Sequence, residues 1–127
     1  MIRYHVFVEG IPKAQPRPRK GKHGKFYNPS TADEWKEAIQ IAFMQEKKPM
    51  IQGPVFLAIN FYFQKKGVKR LLPHIQKPDK DNLEKAVMDA LTEAGIWKDD
   101  SLVYDSHISK FWSASKTGAE IIVIEEY

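Results

Sequence analysis

The ten residues from Pro54 to Phe63, PVFLAINFYF, restrict the fold more than any other stretch. Successive side chains on a strand point to opposite faces, so Val55, Leu57, Ile59, Phe61 and Phe63 form one row and Phe56, Ala58, Asn60 and Tyr62 the other. Both rows are largely apolar. A strand with one wet face alternates with polar residues and this one does not, so it is expected to lie centrally in a sheet with cover on each side. The rest of the chain has to supply flanking strands and a covering layer. At 127 residues it is long enough for one core and too short for two, and residues 1–127 are read as a single domain.

The remaining segments answer that demand. Ile2 to Val8 reads as a strand closed by Glu9-Gly10, Ser101 to Trp112 as a long strand and Ala119 to Glu125 as the last, with Lys116-Thr117-Gly118 as a hairpin turn between those two. Ser30 is a helix N-cap with Asp33 three residues on. Trp35, Ala38, Ile39, Ala42 and Phe43 then form a stripe at helical spacing that runs out near Lys47-Lys48-Pro49. A second helix is expected from about Asn82 to Ala94, capped by Asp81 with Glu84 reaching back and stopped by Gly95 in the left-handed region. Its buried face is Leu83, Ala86, Val87, Ala90, Leu91 and Ala94. The order β-α-β-α-β-β predicts an α+β domain with a small mixed sheet and two helices.

With 43% hydrophobic and 28% charged residues the chain reads as ordinary globular protein. The absence of cysteine excludes disulfides and thiolate zinc sites. No signal-peptide apolar region follows Met1-Ile2-Arg3, and no apolar run approaches the roughly 18 residues of a membrane span. The expectation is a soluble, cytoplasmic protein without a membrane partner. His5, His23, His74 and His107 lack ligand spacing, and none is assigned to a metal.

The net charge of +4 hides a division, since residues 10–80 carry a net +10 and residues 81–127 a net −6. After the first strand, IPKAQPRPRKGKHGKFYNP has too much Pro and Gly for a helix or a central strand. It holds the cations Lys13, Arg17, Arg19, Lys20, Lys22 and Lys25, with no acid between Glu9 and Asp33. It reads as a mobile cationic loop for DNA backbone contact, with Phe26-Tyr27 to stack on a base or to anchor it. QKKGVKRLLPHIQKP is a second acid-free loop with Lys65, Lys66, Lys69, Arg70 and Lys77. Its Leu71-Leu72 pair suits a wedge into DNA or, better, a contact with a partner subunit.

That loop leads straight into the acidic half. Lys77 to Asp105 holds eight of the sixteen acidic residues. If Pro78 keeps the chain extended, Asp79 and Asp81 project to one side, and Lys85 and Asp89 lie on the helix face away from the core stripe. Asp99 and Asp100 follow the helix. Five carboxylates brought near one another raise each other's pKa unless cations neutralise them, and a hard divalent cation such as Mg²⁺ takes carboxylate oxygens while keeping positions open for water and phosphate. Taken singly these residues have plainer readings: an N-cap at Asp81, an exposed i,i+4 pair at Lys85 and Asp89, a loop end at Asp99-Asp100. Their conjunction is the informative feature.

At these residues the sequence resembles the RusA family of Holliday junction resolvases, whose pattern stands here as Asp79-Lys80-Asp81-Asn82-Leu83-Glu84-Lys85, Asp89-Ala90-Leu91, Gly95-Ile96 and Asp99-Asp100. The resemblance extends more loosely over the whole chain, to Lys110 in the following strand. It implies a homodimeric, Mg²⁺-dependent endonuclease, with Mn²⁺ as a substitute, that cuts four-way DNA junctions by paired symmetric nicks. By position it implies metal-binding carboxylates at Asp79, Asp81 and Asp100 and a catalytic lysine at Lys85; Asp89 and Asp99 read as groups that support the ligands or as helix-terminus partners, and Lys110 as a DNA contact. Leu102 departs from the polar residue common after the second Asp pair, which touches a peripheral contact only.

Two other readings compete. A non-catalytic nucleic-acid binding module would use the basic loops with Phe26, Tyr27, Trp97 and Trp112 for stacking, and leaves the acidic cluster without a purpose. A Mg²⁺ nuclease for flaps, other branched DNA or RNA would share every motif.

Overall fold

The computed structural model describes residues 1–15, 19–20, 26–27 and 30–127, with side chains for 1–15 and 32–127. Its elements in chain order are β1 (Arg3–Glu9), β2 (Arg19–Lys20), β3 (Phe26–Tyr27), α1 (Ser30–Met44), β4 (Val55–Gln64), β5 (Leu72–Pro73), α2 (Lys80–Glu93), β6 (Val103–Ser113) and β7 (Gly118–Glu125). The α+β class, the two helices and the mixed sheet are as the sequence predicts.

The apolar run occupies the centre, as expected. Five strands form one sheet in the order β1-β7-β4-β6-β5, with β4 antiparallel to β7 and parallel to β6. Parallel neighbours need a crossover, and α2 lies in the one that carries the chain from the end of β4 back to the start of β6. This single connection decides where the acidic residues stand. Leu57, Ile59 and Phe61 of β4 join Trp35, Ile39 and Phe43 of α1 and Leu83, Val87 and Leu91 of α2 in the core.

Three details differ from expectation. Strands β6 and β7 do not form a hairpin, because β4 lies between them and the short Ala114–Thr117 link passes over its end. Gly118 makes that passage possible: at φ 152° a Cβ there would stand 2.2 Å from the Val8 carbonyl oxygen. Among the described residues no helix covers the second row of β4. Phe56 and Ala58 are half-buried there, and Tyr62 is shielded by Phe7 of β1 and Phe111 of β6. Helix α1 ends at Met44, short of the lysine pair.

Between Gln15 and Ser30 the described backbone consists of two short paired strands, Arg19 opposite Tyr27 and Lys20 opposite Phe26. Arg17, Lys22 and Lys25, and the side chains of Arg19, Lys20, Phe26 and Tyr27, lie outside the described residues.

Candidate active site

Asp79, not Asp81, begins α2. Following Pro78, it is extended at φ −70°, ψ 148°, and its carbonyl accepts the first helical bond from the Leu83 N–H at 3.1 Å. Asp81 therefore sits inside the first turn, where its Oδ1 accepts from the Asn82 N–H at 3.0 Å. The expected cap is displaced because the extended segment ends at Asp79, two residues earlier. Both carboxylates gain from the positive end of the helix dipole. Lys77 Nζ pairs with Asp79 Oδ2 at 2.8 Å. Lys85, one turn beyond Asp81, is exposed, and Leu83, Ala86, Val87, Ala90 and Leu91 are buried as expected.

The second acidic pair is fixed with equal care. Gly95, at φ 71°, ends the helix, and Trp97 plunges fully into the core with its Nε1 donating to Thr92 Oγ1 at 2.7 Å. Ile51 N–H donates to Ile96 O at 2.9 Å and Lys98 N–H to Ile51 O at 3.0 Å, which pins the loop from outside. Asp99 caps a 3₁₀ turn, Asp100–Leu102. Its carboxylate accepts from the Ser101 N–H at 3.1 Å, and hydrogen bonding to Ser101 holds its pKa below the usual range. Asp89 is half-buried, and burial pushes its carboxyl up. Lys36 and Lys85 oppose that rise, while Glu93 and Asp100 add to it.

The two acidic pairs stand at opposite ends of α2. Its 14 residues span about 21 Å at 1.5 Å per residue, so the five carboxylates do not converge within one chain. Consistent with this, no three His, Cys, Asp or Glu side chains among the described residues are grouped to hold a metal ion. The donor chemistry of Asp79, Asp81 and Asp100 suits a hard divalent cation, and all three are exposed. Their placement in a single chain does not. The crossover is the reason: it puts the start of α2 by the end of β6 and the Asp100 turn by its beginning. No sequence spacing reveals that separation, because helix direction relative to the sheet is a property of the topology.

The cationic segments do meet the Asp79 end. Gln15 N–H donates to the Asn82 carbonyl at 3.0 Å, so the first basic segment departs from the first turn of α2. Lys13 is half-buried near that point, while Lys65, Lys66, Lys69, Arg70 and Lys77 are exposed. Lys110, expected as a DNA contact, has its Nζ donating to the carbonyls of Gln76 at 2.7 Å and Pro78 at 2.8 Å. Beside it His74, 4% exposed, is stacked between Phe63 and Trp112 with both ring centroids 4.3 Å away. Sequence reasoning missed His74, since its neighbours come from β4 and β6 and leave no local signal. Of the aromatic residues available to a stacking module, Trp97 is wholly buried and Trp112 is half-buried against His74.

An acid-and-lysine helix start flanked by cationic segments, on a crossover between parallel strands, goes with a known class. The chain belongs to the RusA endodeoxyribonuclease family, whose description it matches over residues 9–124. It is 35% identical over 122 residues to the uncharacterized protein YqaN of Bacillus subtilis (strain 168), covering 84% of this chain and 85% of that protein. It is also 51% identical over 39 residues to the crossover junction endodeoxyribonuclease RusA of Escherichia coli O139:H28, and 49% identical to that of strain K12. Those two matches cover 31% of this chain and 32% of each relative. No helix among the described residues is long and apolar enough to cross a membrane.

Proposed function

We propose that the chain is a divalent-metal-dependent endodeoxyribonuclease that resolves four-way DNA junctions by paired symmetric nicks, acting as a homodimer whose metal sites are each completed by both subunits. Family membership supports the junction-cutting activity. The observation that carries the two-subunit site is the separation of Asp79 and Asp81 from Asp100 along α2. A two-fold axis that sets the start of one α2 beside the Asp100 turn of its mate creates two equivalent sites at once, which suits a substrate needing two nicks.

In this reading Asp79 and Asp81 of one subunit and Asp100 of the other would hold Mg²⁺, which would supply a nucleophile at neutral pH and offset phosphate charge. Lys85 is exposed one turn past Asp81, within the positive field that favours a phosphate at a helix start. Its ammonium donates to the oxygen on which charge develops at phosphorus or to the leaving oxygen, or it orients the attacking water. Lys65, Lys66, Lys69 and Arg70, together with the Lys13 to Lys25 segment, hold the flanking backbone. Asp89, between Lys36 and Lys85, keeps the lysine's charge balanced.

The test is cleavage of a mobile four-way junction beside duplex and flap controls, with Mg²⁺, Mn²⁺ or EDTA, for wild type and Asp81→Asn. Paired metal-dependent nicks in the junction alone, lost in the variant while junction binding persists, are expected. Binding without cutting under any metal would leave a binding module, and equal cutting of all substrates would remove the junction specificity.

A further inference from the structure

Lys110 lies on β6 opposite Phe61 of β4, on the side of the sheet that faces the helices. Its ammonium has three donors, and two of them are spent on main-chain carbonyls of a single short segment, Gln76 and Pro78. That segment is tied to β6 at its other end as well. Leu72 pairs with Trp112, Pro73 pairs with Phe111, and the His74 N–H donates to the Lys110 carbonyl at 3.0 Å. The four residues from Ile75 to Pro78 thus form a bridge whose far end, among the described residues, is hydrogen-bonded to the sheet through the Lys110 side chain. Ile75, 89% exposed, lends no packing there. Asp79 follows directly.

We propose that Lys110 is a positioning residue: its ammonium clamps the Gln76 and Pro78 carbonyls and so sets the place of Asp79 and the first turn of α2, instead of contacting DNA phosphate. The inference rests on the nuclease reading for its catalytic consequence, though not for the clamp itself. A cationic clamp suits this position. An ammonium satisfies two carbonyl dipoles at once, and the nearby Lys77 and Asp79 side chains remain turned towards each other. Lys110 is half-buried, and Lys110→Met keeps an unbranched stem while removing the donors.

Three readouts on Lys110→Met and Lys110→Arg test this. Junction cleavage at saturating DNA should fall about 10- to 100-fold in Lys110→Met and recover in part in Lys110→Arg, which keeps donors of different geometry. The slope of log K against log salt for junction binding should stay at its wild-type value, whereas loss of one phosphate contact lowers it by about 0.9. Hydrogen exchange at the Leu83 amide, whose bond to the Asp79 carbonyl opens α2, should quicken while the β4 and β7 amides keep their protection. A reduced salt slope would make Lys110 a phosphate contact and overturn the proposal, as would unchanged exchange at Leu83. A wild-type protein that cuts no DNA would sink the nuclease reading, and the exchange measurement would still decide the clamp.

Discussion

His74 shows what a single side chain contributes against its own chemistry. It is buried between two aromatic rings, its Nδ1 has no hydrogen-bond partner among the described residues, and its pKa is lowered first by burial and then by the Lys110 charge. The folded protein therefore resists a proton that the unfolded chain accepts near pH 6.5. Stability is full above that value and declines as pH falls through it, until the folded-state pKa is passed. His74→Phe keeps the stacking and removes the titration. Urea midpoints measured at pH 7.5 and 5.5 should differ less in the variant than in wild type, and identical pH dependence in both would refute this account. Lys85 makes the opposite case, since it is exposed. Lys85→Met should leave thermal stability within about 0.5 kcal/mol and lower the cleavage rate by roughly 10²- to 10³-fold, with junction affinity nearly kept. The role proposed for Lys85 is legible from its place after an Asp pair. That of His74 is not, because burial between distant strands leaves no pattern in the chain.

At the scale of elements, the acidic end of the crossover depends on Trp97. Its ring is fully buried, its Nε1 is bonded to Thr92, and its backbone bridges to Ile51, so the turn carrying Asp99 and Asp100 has little freedom. Trp97→Ala should cost about 3–5 kcal/mol of stability in a denaturant titration. Trp97→Phe keeps most of the packing but strands the Thr92 hydroxyl, for about 1 kcal/mol. A Trp97→Ala cost below about 1 kcal/mol would show that the turn is not anchored this way. The sequence makes both helices readable through their apolar stripes, and β4 through its two apolar rows. It places the start of α2 two residues late, because Asp79 and Asp81 are equally good caps and only the extended conformation at Asp79 decides between them. It also joins β6 and β7 into a hairpin that does not exist. A short polar link with a glycine reads the same whether it turns between neighbours or passes over an intervening strand, and the close approach of Gly118 to Val8 becomes visible only in three dimensions.

For the whole molecule, the decisive quantity is the length of α2. Sequence proximity brings Asp79, Asp81 and Asp100 within 22 positions, and the motif treats them as one group; the fold sets the first two at the start of a helix about 21 Å long and the third beyond its end. A site completed by two subunits has a consequence that a site within one chain lacks. Asp81→Asn and Asp100→Asn should each be inactive alone. In a mixed dimer, one site combines both substitutions and the other combines neither, since the intact Asp81 and the intact Asp100 come from different chains. Unfolding and refolding the two variants together at equal amounts should yield about half mixed dimers, each with one working site. The expected product is single-strand nicking at about a quarter of the wild-type rate, with few paired cuts, read on a junction labelled on both target strands. If the carboxylates instead met within one chain, every subunit in the mixture would carry a broken site and no activity would return. Recovery of nicking from two dead proteins therefore tests the geometry of the crossover and the dimer in a single experiment.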